Sequence, residues 1–124
     1  MGTARPSKLE RKFLDDALDH IERHMAERGF NVTSLCILLG MSRTTVYRKF
    51  RALTGKTPTE VIRLVKLEHS AGLISKGETN LREAARLSGF YNQSYFSKCF
   101  RQHFGMSPSE ASRQSEVLNN DSSD

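Results

Sequence analysis

Two segments of this chain place short hydroxyls and long cations at helical spacing. In the first, Thr44, Tyr47, Arg48 and Arg51 fall opposite an apolar stripe of Val46, Phe50 and Leu53. In the second, Ser94, Ser97, Lys98 and Arg101 stand opposite Phe96, Phe100 and one of His103 or Phe104. On a helix the apolar stripe packs inward and the polar set faces out. Cations neutralise phosphates, while cations and hydroxyls reach base edges, so each outward face suits a nucleic-acid duplex. For one helix alone, a solvated basic face would explain the pattern equally well. Its occurrence twice favours the functional reading.

Other residues that could do chemistry fit their surroundings more simply. His20 and His24 share a helix face with Glu22 between them, but a metal needs further ligands, and HExxH spacing is not present. His69 reads as linker surface and His103 as the edge of a core. The carboxylates Glu10, Asp15, Asp16, Asp19, Glu22 and Glu27 form the ordinary polar face of a helix rather than a catalytic pair. Neither a GxSxG elbow nor a glycine-rich phosphate loop occurs. The chain is therefore expected to be no enzyme, with no cofactor and no metal.

Charge sharpens this reading. The net charge of +5 favours a polyanionic partner only weakly. Its distribution says more. No Asp or Glu lies between Gly29 and Thr59, or between Ala84 and Ser109, and these stretches hold Arg43, Arg48, Lys49, Arg51, Lys56, Arg86, Lys98 and Arg101. The basic potential is local and it occurs twice.

The elements that must position these faces also repeat. An amphipathic helix is expected over Lys8–Arg28 on Leu14, Ala17, Leu18, Ile21 and Met25, with Gly29 as its stop. Asn31 and Asn80, the latter with Glu83 three residues on, should each cap a short helix (Val32–Leu39 and Leu81–Ser88) that closes at Gly40 or Gly89. Ser42 and Asn92 should each cap a longer helix ending at Gly55 or Gly105. Thr57-Pro58-Thr59-Glu60 and Ser107-Pro108-Ser109-Glu110 are strong helix starts. Leu38, Gly40, Arg48, Phe50, Gly55, Pro58 and Glu60 correspond to Leu87, Gly89, Lys98, Phe100, Gly105, Pro108 and Glu110. The offset is 49 before the turn and 50 after it, so the second turn is one residue longer. A short helix, a glycine turn and a second helix form the helix-turn-helix pattern.

The expected organisation is all-α. Residues 1–7 are a disordered start, 8–56 a first helix-turn-helix subdomain, 57–76 a linker helix, 77–113 a second subdomain, and 114–124 a polar disordered tail. At 1.5 Å per residue, the helix from Pro58 to Lys76 spans about 28 Å, near the ~34 Å between successive major-groove faces. Cys36 and Cys99 lack zinc-finger spacing and read as buried thiols in a reducing compartment. No apolar run approaches the ~20 residues of a membrane span, and no signal-peptide core opens the chain. A cytoplasmic protein without membrane contact is expected.

The stretch Leu87-Ser-Gly-Phe-Tyr-Asn-Gln-Ser-Tyr-Phe-Ser-Lys-Cys-Phe-Arg-Gln-His-Phe-Gly-Met-Ser-Pro108 resembles the signature of the AraC/XylS family of transcriptional regulators. Gly40-Met-Ser-Arg-Thr-Thr-Val-Tyr-Arg-Lys-Phe-Arg-Ala-Leu-Thr-Gly-Lys-Thr-Pro58 is similar to a subgroup, the output domains that close hybrid two-component proteins. The resemblance covers roughly residues 12–113. It implies a domain of about seven helices with both recognition helices presented to one DNA face. It also implies base contacts at Thr44, Tyr47, Arg48, Gln93, Ser94, Ser97 and Lys98. Arg43, Arg51 and Arg101 are phosphate candidates by position and charge. The sequence departs from the family pattern at Cys36, where alanine is usual, and at Ala111, where an aromatic is common.

The implied function is a sequence-specific transcription regulator of double-stranded DNA, the output domain of a larger signalling protein whose kinase would lie upstream. RNA polymerase is a further candidate partner. The isolated domain is expected to be a monomer, with dimerisation a property of the full-length protein. A stand-alone regulator is the alternative. A helical adaptor would explain the helices but not the paired acid-free faces, and a general nucleic-acid-coating module would bind without preferring a sequence.

Overall fold

The computed structural model describes residues 6–122, with side chains through Glu116. Its helices are α1 (Lys8–His24), α2 (Val32–Leu39), α3 (Arg43–Thr54), α4 (Pro58–Lys76), α5 (Leu81–Leu87), α6 (Gln93–Phe104) and α7 (Pro108–Ser122). No strand occurs among the described residues.

Side-chain caps satisfy the free N–H groups that open these helices. Asn31 Oδ1 accepts from the Ser34 amide at 3.1 Å, and Ser34 Oγ accepts from the Asn31 amide at 3.2 Å. Ser42 Oγ accepts from the Thr45 amide, and the side chains of Asn80 and Asn92 accept from the amides of Glu83 and Tyr95. At α4 and α7 the hydroxyls of Thr57 and Ser107 accept from the amides of Glu60 and Glu110, whose carboxylates accept from the cap amides in return. Those cap amides, more than any neighbouring cation, hold the Glu60 and Glu110 carboxyls below the ordinary range. Glu83 departs from this pattern. It turns to Arg86, one turn along the helix, instead of returning to Asn80.

The chain forms two compact units that divide between Val65 and Lys66. In the first, Phe13, Ala17 and Ile21 of α1 pack with Leu35, Val46, Phe50, Val61 and Ile62. The edge of Phe13 meets Phe50 with ring centroids 5.6 Å apart. Phe13 belongs to this core although the α1 stripe read from sequence omits it. In the second, Leu67 and Ile74 of α4 pack with Ala84, Ala85, Phe90, Phe96, Cys99 and Phe100. Phe90, Phe96, Phe100 and Phe104 form a continuous aromatic row, with successive centroids 5.1, 5.6 and 4.5 Å apart. Helix α4 is thus no free linker over 57–76. Val61 and Ile62 belong to one core, and Leu67 and Ile74 to the other.

Several boundaries differ from expectation. Helix α1 stops at His24 rather than Arg28, because the chain turns there. The His24 imidazole meets the Glu27 carboxylate at 2.7 Å and stacks on Phe30, while Gly29 sits at φ +89°. Ser88 is the C-cap of α5, outside the helix. Ser7, expected within a disordered start, caps α1 in a reciprocal box with Glu10. Residues 1–5 lie outside the described residues. Of the tail expected to be disordered over 114–124, α7 takes in residues through Ser122. Its strong start is succeeded by no Gly or Pro that would stop it.

Candidate nucleic-acid interface

Each unit sets its longer helix after a glycine turn. Gly40 closes α2 in the left-handed region, at φ 66° and ψ 32°, and two residues later Ser42 caps α3. The second turn runs through Ser88, Gly89 at φ +93°, Phe90 and Tyr91 before the Asn92 cap. Its extra residue leaves room for Phe90 to enter the core at 4% exposure. Two side chains of α4 hold this turn. Lys66 Nζ donates to the Gly89 carbonyl at 3.4 Å, and His69 Nδ1 lies 2.8 Å from the hydroxyl of the fully buried Ser88. Burial lowers the Lys66 pKa below the ordinary lysine value. His69 is therefore more than linker surface.

On α3, Val46 and Phe50 are wholly buried and Leu53 is half-buried, while Thr44, Arg48 and Arg51 are exposed. Tyr47 is half-buried against the first core. Its hydroxyl accepts from Arg43 Nη2 at 3.3 Å, and the Arg43 guanidinium carbon lies 5.2 Å from its ring centroid. Arg43 Nη1 also donates to the Thr33 hydroxyl at 3.4 Å, tying the start of α3 to α2. On α6, Gln93, Ser94, Ser97, Lys98 and Arg101 are all exposed. Phe104 packs against the core, and His103 is exposed beside the Phe104 ring, which settles the third position of the inward stripe.

Tyr95 is a surface residue that the stripe arithmetic passes over. It is 49% exposed at the start of α6, with its ring against Phe90. Its place one residue before the inward Phe96 is the sequence signal for it. Both cysteines are buried free thiols. Among the described residues, no three His, Cys, Asp or Glu side chains gather as a metal site would require. No described helix is long and apolar enough to cross a membrane.

Residues 35–114 match a protein family described as a helix-turn-helix domain. Histidine kinase P4 of Formosa agariphila is 35% identical over 104 residues, which cover 84% of this chain and 8% of that protein. The chain spans only a fraction of the curated relatives it matches. A Chromobacterium violaceum transcriptional regulator with an AraC-type DNA-binding domain shares the fold at TM-score 0.79 and 21% identity, over 88% of this chain and 96% of that one. The DNA-binding domain of AdpA, a global transcriptional factor solved in complex with a target DNA, superposes at TM-score 0.74 and 25% identity, covering 90% of this chain and 96% of that one. The family match runs from within α2 into α7 and takes in both glycine turns and the helices after them, and this chain belongs to the AraC-type helix-turn-helix domains, which are non-catalytic and bind DNA to regulate transcription.

Proposed function

We propose that α3 and α6 are the recognition helices and that each reads its own segment of one duplex. Thr44, Tyr47 and Arg48 would meet base edges from α3. Gln93, Ser94, Ser97 and Lys98 would do so from α6. Arg51 and Arg101 would neutralise phosphates at the flanks. Arg43, a third phosphate candidate by charge and position, is already engaged with Tyr47 and Thr33. The observation that carries this reading is that both helices are free of acid and present their cations and hydroxyls outward over a phenylalanine core.

The relative named as a histidine kinase supports a further step. This chain would be the output domain of a larger two-component protein, acting in the cytoplasm, with phosphotransfer confined to other domains. RNA polymerase is the partner such an output would meet at a promoter. The domain by itself would bind as a monomer, and dimerisation would belong to the full-length protein.

Salt dependence tests the DNA contact. If about four to six cations neutralise phosphates, log affinity should fall against log salt with a slope near −4 to −5. An affinity indifferent to salt would defeat the reading. A second arm adds excess random duplex, which should leave specific binding largely intact and would abolish the binding of a coating module.

A further inference from the structure

Among the described hydroxyls of the two basic faces, that of Tyr47 is already held by a cation of its own chain. A tyrosine hydroxyl donates one hydrogen bond and, in the plane of its ring, offers one good acceptor position. Here it accepts from Arg43 Nη2 at 3.3 Å. Arginine has only donors, so the hydroxyl hydrogen cannot point back at it. The ring cannot swing away freely, because it is half-buried against the first core. Nor is Arg43 loose. Its second nitrogen is bonded to Thr33 on α2, and its guanidinium lies against the tyrosine ring.

We infer that Arg43 is a positioning residue that turns Tyr47 into a hydrogen-bond donor, so that Tyr47 selects a base edge carrying an acceptor. This rests on the reading that α3 meets base edges. In the major groove the acceptors are guanine N7 and O6, adenine N7 and thymine O4, while cytosine N4 and adenine N6 are donors. A hydroxyl whose hydrogen points outward favours the first group and is mismatched against the amino groups. Thr33 belongs to the device although it lies outside the recognition helix, since it anchors the arginine. A guanidinium serving only as a phosphate contact would leave the tyrosine free to donate or accept.

The test uses the whole chain and a duplex selected by the wild type from a random library, with each base pair then substituted in turn. Tyr47→Phe, which keeps the ring and its packing, should weaken binding about five- to tenfold and flatten the preference at one base pair. Arg43→Met should flatten that same base pair while leaving the salt slope unchanged. The double variant should be no worse than Tyr47→Phe alone. Circular dichroism verifies folding, and Arg43→Ala, a good helix former without charge or donor, replaces the Met variant should that one unfold, with the same expectation. Additive losses, a preference lost at a different base pair, or a slope shallower by about 0.9 would overturn the proposal. The last result would make Arg43 a phosphate contact. A wild type that selects no duplex at all would defeat the DNA-reading of α3 itself, which is a separate failure.

Discussion

The two helix-turn-helix units share their punctuation but not the means that hold it. In the first, the turn after α2 closes on Gly40 with Leu39 packed against the core, and the basic face of α3 is organised by Arg43, Tyr47 and Thr33. In the second, the turn is longer and is gripped from α4 by Lys66 and His69, while the exposed polar side chains of α6 carry no comparable bond among the described residues. One unit fixes its face and the other fixes its turn. Most of the repeated residues set helix ends or fill the core, as the glycines, the Pro–Glu helix starts and Phe50 with Phe100 do, while Arg48 and Lys98 repeat on the outward face. What differs is the support around them.

The strongest way to break this comparison is to empty one core at a time. Phe50→Ala and Phe100→Ala should each cost about 3–5 kcal/mol, as large-to-small changes at fully buried rings do. Each should remove footprint protection over the segment bound by its own unit. If either variant removed both segments at once, the two cores would be a single folding unit. Chemical denaturation run alongside footprinting gives both quantities.

Smaller changes on the surface ask whether the two faces read different bases. Arg48→Ala and Lys98→Ala should each weaken specific binding by about 1–3 kcal/mol with folding intact, since both side chains are exposed. Their losses should map to separate parts of the site. An unfolded variant, or no change in binding from both, would mean the phase assigned to α3 and α6 is wrong.

The smallest expected effect concerns the helix the units share. A Gly-Gly insertion between Val65 and Lys66 should reduce affinity about tenfold or somewhat more and leave one protected patch, with most helicity kept. The position matters. An insertion after His69 would fall between Leu67 and Ile74 and shift the second core, confounding coupling with damage. Unchanged affinity and footprint would show that the units do not bind as a pair through α4.

Helix starts were the most legible part of the fold because their chemistry is local. A hydroxyl, a proline and a glutamate within four residues identify α4 and α7, and the caps Asn31, Ser42, Asn80 and Asn92 identify α2, α3, α5 and α6. Ends were harder. Gly29 has the left-handed backbone expected of a helix stop, yet α1 has already ended at His24, whose side chain meets Glu27 and Phe30 in the turn that follows. The polar composition of the last stretch suggested no structure, whereas a capped start with no breaker after it continues as helix.

The same distinction applies to the site. The outward position of Arg48 and Lys98 is set by helical period alone. The union of Arg43 with Tyr47 was partly visible, since residues four apart share a face, but spacing does not say which atoms meet or that Thr33 joins them. The grip of Lys66 and His69 on Gly89 and Ser88 spans 23 and 19 residues, and no local pattern encodes it.

The repeat also explains an odd number. Two copies of a three-helix repeat, α2–α4 and α5–α7, make six helices, and α1 is the seventh of the described residues, while α4 lends side chains to both cores. The copies lie end to end in sequence but share one helix in their packing. Each added copy would then require only three new helices and about 50 residues, the sequence offset between the existing copies. Helix α7 begins with the same capping box as α4. In the grammar of the chain it stands where a third copy would start, so nothing within the repeat itself limits the number of copies to two.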